Sequence, residues 1–334
     1  MCKVFIGNTA DQVWIDAINA LNASDQAVLQ NSRLGGTREI LHVNFHVKEP
    51  QQRWVLSRLP AINPAFAIVE TLWILGGLED SALVNYWNPM LPRFAGNGPT
   101  YYGAYGFRIR KQYGFDQLDR AFYGLLNNPD SRQIVIQIWD PRSDFPGKDG
   151  KPMSEDIPCN ICALPKIRDG KLEWLQVMRS NDLYRGTPYN IVQFTTMQEV
   201  LAGWLGVKVG AYHQISDCLH VYDSDLAELK WETSPIDIRN EDSLALSRSD
   251  FDEVLNELLS YLYEFTSPEM NSARFVDVVT RDTIPISYRN LLAIAACDSA
   301  RRRGWRDELS YARKQCRNEL LLAAWDRWEA RYPL

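Results

Sequence analysis

The sequence predicts a mixed α/β fold in a single domain. Three observations lead there. Segments with strand alternation and segments with helical apolar spacing interleave from residue 10 to residue 216. No stretch has linker composition, and no internal repeat or low-complexity segment is visible. The 334 residues are 46% hydrophobic and 23% charged, ordinary proportions for a protein with a sizeable core.

Residues 10–30 carry Trp14, Ala17, Ile18 and Leu21 at helical spacing and predict a helix. Residues 31–37 are polar and Gly-rich and predict a turn. Leu41, Val43, Phe45 and Val47 alternate, so residues 40–47 predict a strand. Asn63-Pro64 opens a strongly apolar helix through Leu75, closed by Gly76-Gly77. Residues 86–106 hold Pro, Gly, Asn and many aromatics and predict an ordered loop that covers Trp87, Phe94, Tyr101, Tyr102 and Tyr105. Asp116 suits the N-cap of a helix running to about Leu126. Residues 133–139 predict a strand buried on at least one face. A hydrophilic turn covers residues 144–155. Residues 161–167 and 172–178 are two strands joined by Arg168-Asp169-Gly170-Lys171, whose Asp-Gly pair is a hairpin signal. Residues 192–205 predict a long helix ended by Gly206, and residues 207–216 a strand. From Phe251 onward the chain is helical and rich in arginine. The single domain is thus expected to span residues 1–334, with a helical C-terminal extension from about 250.

The net charge of −6 argues against a nucleic-acid polymer as partner, because binders of a phosphate backbone are usually basic. A single nucleotide needs only a few arginines in one pocket. No apolar run reaches the roughly 18 residues of a membrane span, so none is expected. The N-terminus lacks the long apolar core of a secretory signal. The six cysteines, Cys2, Cys159, Cys162, Cys218, Cys297 and Cys316, are too sparse for a disulfide scaffold. They read as reduced thiols in a cytoplasm. Cys159-x-x-Cys162 lacks a second ligand pair, so no metal is expected.

Chemistry concentrates between Asp156 and Asp225. Cys159 follows a proline in a polar turn, a setting that suits an exposed thiol, and a thiolate is a strong nucleophile once a cation lowers its pKa. The plainer reading is an inert buried cysteine. Arg179 ends a strand and is followed by Ser180, giving a planar fork and a hydroxyl for a phosphate. Arg132 and Arg33 sit in similar polar turns. Their plainer reading is a solvated surface arginine. Asn190 heads an apolar helix, where it is either a cap or an amide able to read a base edge. His220 and Tyr222 are two apart in a strand-like segment and share one face. Glu70 interrupts an apolar helix, and a carboxylate there is costly to bury unless paired or functional.

Four blocks carry a resemblance: Ile157-Pro158-Cys159-Asn160, Met178-Arg179-Ser180-Asn181-Asp182, Gly186-Thr187-Pro188-Tyr189-Asn190-Ile191 and Leu219-His220-Val221-Tyr222. Their order resembles the thymidylate synthase superfamily, and the Arg-Ser-Asn-Asp and Leu-His-Val-Tyr blocks look more like its pyrimidine nucleotide hydroxymethylase branch. The resemblance implies a large mixed sheet with flanking helices. It implies one-carbon transfer from the co-substrate 5,10-methylenetetrahydrofolate to C5 of a pyrimidine nucleoside 5′-monophosphate, namely dUMP, dCMP or CMP. Cys159 would attack C6 of the base. Arg33, Arg179, Ser180 and an Arg132 lent by the partner of a homodimer would bind the phosphate. Asn190 would read the base, His220 and Tyr222 the sugar hydroxyl. Glu70 would organise water and proton transfer. Asp182 and Trp87 would meet the folate. The tyrosine of a Tyr-Gly motif would be Tyr102 or Tyr105.

Three departures stand out. Arg132 is followed by Gln133 where two consecutive arginines are usual. Asn160 follows the nucleophile where the methylating enzymes usually carry His. The chain ends Arg331-Tyr332-Pro333-Leu334 after a basic helical segment, not in a short apolar tail. Water reaching the C5 methylene gives a hydroxymethyl product, and hydride from the folate gives a methyl. The last two departures favour hydroxymethylation, with reductive methylation of dUMP as the alternative. A nucleotide-binding protein without catalysis is the alternative of another class, and the joint presence of Cys159, Glu70 and Asp182 speaks against it.

Overall fold

The structure is a computed structural model and describes residues 2–23, 27–32 and 35–332. Its centre is an eight-stranded mixed sheet. The strands are β1 (Lys3–Gly7), β2 (Val28–Ser32), β3 (Gly35–Val47), β5 (Ile136–Gln137), β6 (Asn160–Arg168), β7 (Lys171–Met178), β8 (Asn181–Asp182) and β9 (Lys208–Tyr222), and β4 (Arg58–Leu59) pairs separately with β10 (Lys230–Trp231). The main path runs β1-β3-β9-β7-β6-β5, with β2 on β3 and β8 on β9. β1 and β3 are parallel, as are β7 and β9, and β3 and β9 are antiparallel.

Local sequence explains the best-defined elements. Asn63 caps α2 (Pro64–Leu75) by accepting from the Phe66 N–H. Every residue of α2 is buried except Glu70, as befits a helix that is apolar all round. The Asp169-Gly170 turn closes the β6–β7 hairpin with both residues at positive φ. A left-handed Gly206 ends α7 (Thr187–Leu205). Asp116 caps α6 (Gln117–Asn127).

Other expectations shift. The first helix, α1 (Ala10–Asn22), is shorter than expected, and residues 28–32 form β2 instead. Of the turn predicted at 31–37, residues 31–32 end β2 and residues 35–37 begin β3, while residues 33–34 lie outside the described residues. The strand expected over residues 133–139 shrinks to β5. Residues 86–106 are not all loop: α3 (Ser81–Trp87) ends there, and α4 (Pro92–Ala95) and the start of α5 (Tyr105–Arg110) lie within. The strand expected to stop at Ser216 continues to Tyr222.

α1 and α7 cover one face of the sheet, burying Phe45, Trp174 and Tyr212. Opposite them, Leu175, Val177, His213 and Ile215 are half-buried, and Val4, Ile6 and Leu41 are exposed. The C-terminal segment forms α8 (Asp223–Glu228), α9 (Arg248–Thr266), α10 (Ser272–Thr280), α11 (Ile286–Arg302), α12 (Arg306–Gln315) and α13 (Glu319–Glu329). Helices α9, α11 and α13 pack on α2, so the far face of the Glu70 helix is held by the C-terminal segment. None of the described helices is long and apolar enough to cross a membrane.

Candidate active site

A cleft of about 460 Å³ lies between α2, the start of α7, the β7–β8 ends and the 84–105 segment. It brings together Glu70, Tyr105, Cys159, Ser180, Asp182, Asn190 and Tyr222, all singled out from sequence. Apolar side chains, among them Phe66, Leu91 and Phe94, complete the wall, a mixture typical of small-molecule sites. A second void of about 30 Å³, lined by Arg53, Leu72 and Tyr288, has room for little more than a water.

Cys159 immediately precedes β6, and its carbonyl accepts the Arg179 N–H at 2.9 Å. The Arg179 guanidinium donates to the carbonyls of Pro158 and Ile157, both at 2.9 Å, and reaches the Cys159 sulfur at 4.0 Å. Burial pushes the thiol above its usual value. Arg179 draws it down, and Asp156 and Asp182 oppose that.

Glu70 accepts from Gln193 Nε2 at 2.6 Å. Burial raises its carboxyl to about 7, against the pull of Gln193. Tyr105 is raised by burial and by Cys159, and the Asn160 side chain acts against that. Asn160 is itself buried and accepts from Gln176 at 2.9 Å, so it stands behind the cleft wall and not in it. A Cβ at Gly106 would fall 2.3 Å from the Ile74 carbonyl oxygen. The glycine therefore lets α5 lie directly on α2, which aims Tyr105 at the cleft.

Asn190 is not the helix cap. Gly186 occupies that position, and Asn190 sits in the first turn of α7. Its side-chain amide has no hydrogen-bond partner among the described residues, so it is available to a ligand. Asp182 Oδ1 accepts the N–H groups of Tyr184 and Arg185 at 2.9 and 2.8 Å. Burial raises its carboxyl, and burial lowers the neighbouring His220. The His220 and Tyr222 rings meet edge to face at 5.5 Å. His220 itself lies just off the cleft lining.

The remaining predicted residues lie elsewhere. Of the two candidate tyrosines, Tyr102 points away, and its hydroxyl donates to the Ser143 carbonyl at 2.7 Å. Trp87 is 1% exposed, behind the wall that its neighbours Val84 and Asn88 form. Arg132 is exposed and is not part of the cleft lining. Arg33 lies outside the described residues. Among the described residues no group of His, Cys, Asp or Glu is arranged to hold a metal ion.

Gln193, Arg185 and Asp156 are among the cleft residues that escaped the sequence reading. Gln193 lies one turn beyond Asn190, a spacing that places both on one face. Arg185 pairs with Asp225 at 2.7 and 2.9 Å and covers the Tyr222 ring at 4.9 Å. Asp156, three residues before Cys159, adds a third carboxyl to those of Glu70 and Asp182, pushed up to about 6 by burial.

Two carboxyls raised by burial line the same cleft as a thiol, a grouping that active sites use. Comparison with known proteins agrees. The family profile described as thymidylate synthase matches residues 23–261. The deoxyuridylate hydroxymethyltransferase of Bacillus phage SP01 is 32% identical over 295 residues, covering 83% of this chain and 75% of that protein. The protein of the same name from Pseudomonas phage M6 is 38% identical over 166 residues, 49% of this chain and 46% of its own length. The thymidylate synthase of Clostridium beijerinckii is 29% identical over 170 residues, 49% of this chain and 59% of its own length. The chain belongs to the thymidylate synthase family.

Proposed function

We propose that this protein is a transferase that adds a hydroxymethyl group to C5 of a pyrimidine deoxynucleotide, with deoxyuridylate as substrate and 5,10-methylenetetrahydrofolate as carbon donor. The observation that carries it is the meeting of Cys159, Glu70 and the uncommitted amide of Asn190 in one cleft. An amide there suits uracil, donating to O4 and accepting from N3–H. The names of the phage relatives support the same base and product.

Cys159, as thiolate, adds to C6 and turns C5 into a nucleophile. The folate supplies the carbon that C5 takes up. Arg179 and Ser180 hold the phosphate, and the partner's copy of Arg132 joins them. Tyr222 and His220 meet the sugar, with Arg185 stiffening the tyrosine from above. Glu70, near neutral pKa, gives a proton to O4 and takes it back. Asp182 has one oxygen occupied by backbone N–H groups, and its Oδ2 has no hydrogen-bond partner among the described residues. That oxygen faces the folate ring. Trp87, being buried, supports the folate wall through Asn88 and Val84.

The chain acts as a homodimer of single-domain subunits. The half-covered sheet face with exposed Val4, Ile6 and Leu41 supports pairing. The packing of α9, α11 and α13 on α2 supports one domain from end to end. The sparse cysteines support a cytoplasmic setting. Replacing Cys159 by Ser tests the central step. Product formation is expected to vanish while deoxyuridylate affinity stays within about tenfold. Substantial turnover by the serine variant would remove Cys159 from the nucleophile role.

A further inference from the structure

We propose that Asp156 is the base that takes the proton from the water adding to the C5 methylene. The proposal rests on the hydroxymethylation reading and names the group that completes it. Asp156 lines the cleft with Cys159 and Glu70. Its place is fixed from both sides. The next two residues, Ile157 and Pro158, are held through their carbonyls by Arg179. Asp156 Oδ2 accepts the Gly103 N–H at 2.7 Å.

Gly103 makes this approach possible. A Cβ there would lie 2.7 Å from the Asp156 carbonyl oxygen and 2.8 Å from Oδ1. Any larger residue would drive the carboxyl out. The other carboxyl oxygen, Oδ1, has no hydrogen-bond partner among the described residues. Nor does an ion pair neutralise the group, since Arg108 gives both of its terminal nitrogens to Asp144, at 2.7 and 3.0 Å. One oxygen is anchored and one is open, and the side chain faces a cleft that holds a thiol.

The electrostatics agree with that role. Asp156 lines one cleft with Glu70, Cys159 and Tyr105, and its charge raises the pKa of each. Burial raises it to about 6 and raises Glu70 to about 7. When two carboxyls share a site, the lower one serves as base and the higher one as acid. At neutral pH Asp156 is the more ionised of the two and Glu70 the more protonated.

The step balances without an oxidant. The water oxygen bonds to the methylene carbon, and its proton goes to Asp156. The C5–methylene π pair moves through C4 onto O4. That enolate then re-forms the C4 carbonyl and the C5–C6 double bond as the C6–sulfur bond breaks. Cys159 leaves as thiolate, and Asp156 passes its proton to solvent. Hydride transfer would need no such base.

The test uses deoxyuridylate tritiated at C5, with the folate and the full-length enzyme in single turnover. Tritium is released when the methylene forms, before water adds. Asp156→Asn is expected to release a burst of about one tritium per site while forming hydroxymethyl product about 10²-fold more slowly. A covalent nucleotide adduct should then accumulate on Cys159 in denaturing mass spectra. Asp156→Glu, which keeps a carboxylate, should recover part of the product rate. Product at the wild-type rate in Asp156→Asn would overturn the proposal, as would equal loss of burst and product in both variants. The parent reading fails separately, if the wild-type enzyme itself yields a methylated nucleotide.

Discussion

The Arg179 guanidinium lies 4.0 Å from the Cys159 sulfur while two carbonyls of the preceding Ile157-Pro158 pair hold it in place. One cation thus orders the turn that carries the thiol and lowers a thiol that burial raises. In the proposed reaction it also meets the phosphate.

Arg179→Ala is therefore expected to act twice. The pH at which iodoacetamide alkylates Cys159 should rise, because the charge that favours the thiolate is gone. Deoxyuridylate affinity should fall by about 2 kcal/mol or more, with little change for deoxyuridine. Equal losses for nucleotide and nucleoside would show that Arg179 does not hold the phosphate.

Glu70 links pH to stability. Its folded carboxyl sits at about 7, above the ordinary 4.5, so the folded state binds more protons than the unfolded one between these values. Its contribution is fully present below the ordinary value and is lost as pH rises through the folded one. Glu70→Gln should remove that loss. The melting temperature of the variant relative to wild type should climb between about pH 5 and about pH 8, while activity collapses. A constant difference across that range would contradict the raised pKa.

Much of this site was legible because its signals are local. Asn63-Pro64, Asp169-Gly170 and Gly206 bound their elements through backbone chemistry of a few residues. Cys159 and Asn190 stand at element ends and line the cleft, and Arg179, just after the end of β7, braces the turn that carries Cys159. What escaped depended on distant partners. β1 shows no clear alternation because Val4 and Ile6 lie exposed on a sheet face that no described residue covers. β2 exists only by pairing with β3, and its Val28 and Leu29 mimic a continuing helix. Asp156 merely follows a hydrophilic turn in sequence, and its meaning comes from Gly103, 53 positions away. The choice between Tyr102 and Tyr105 needed the contact of Gly106 with α2.

Base selection should rest on Asn190. Asn190→Asp is expected to move preference toward deoxycytidylate, since a protonated carboxyl donates to N3 while its other oxygen accepts from the 4-amino group. Turnover of the two nucleotides in competition measures it. An unchanged ratio would leave Asn190 without a part in reading the base.

Arg132, exposed and outside its own cleft lining, should serve the partner's site. Arg132→Ala and Cys159→Ser subunits, each inactive alone, should regain activity when mixed. One site of each heterodimer then joins an intact thiol to an intact arginine from the other chain. No recovery, with mixed dimers present in native mass spectra, would count against a shared site.

The central claim is that water, not hydride, completes the reaction. The most direct measurement follows the enzyme turning over deoxyuridylate with 5,10-methylenetetrahydrofolate, reading near-ultraviolet absorbance and the mass of the nucleotide together. The account predicts a gain of CH2O on the nucleotide with no rise in dihydrofolate absorbance. A gain of CH2, with dihydrofolate formed in step, would contradict it and make the enzyme a methylating member of its family.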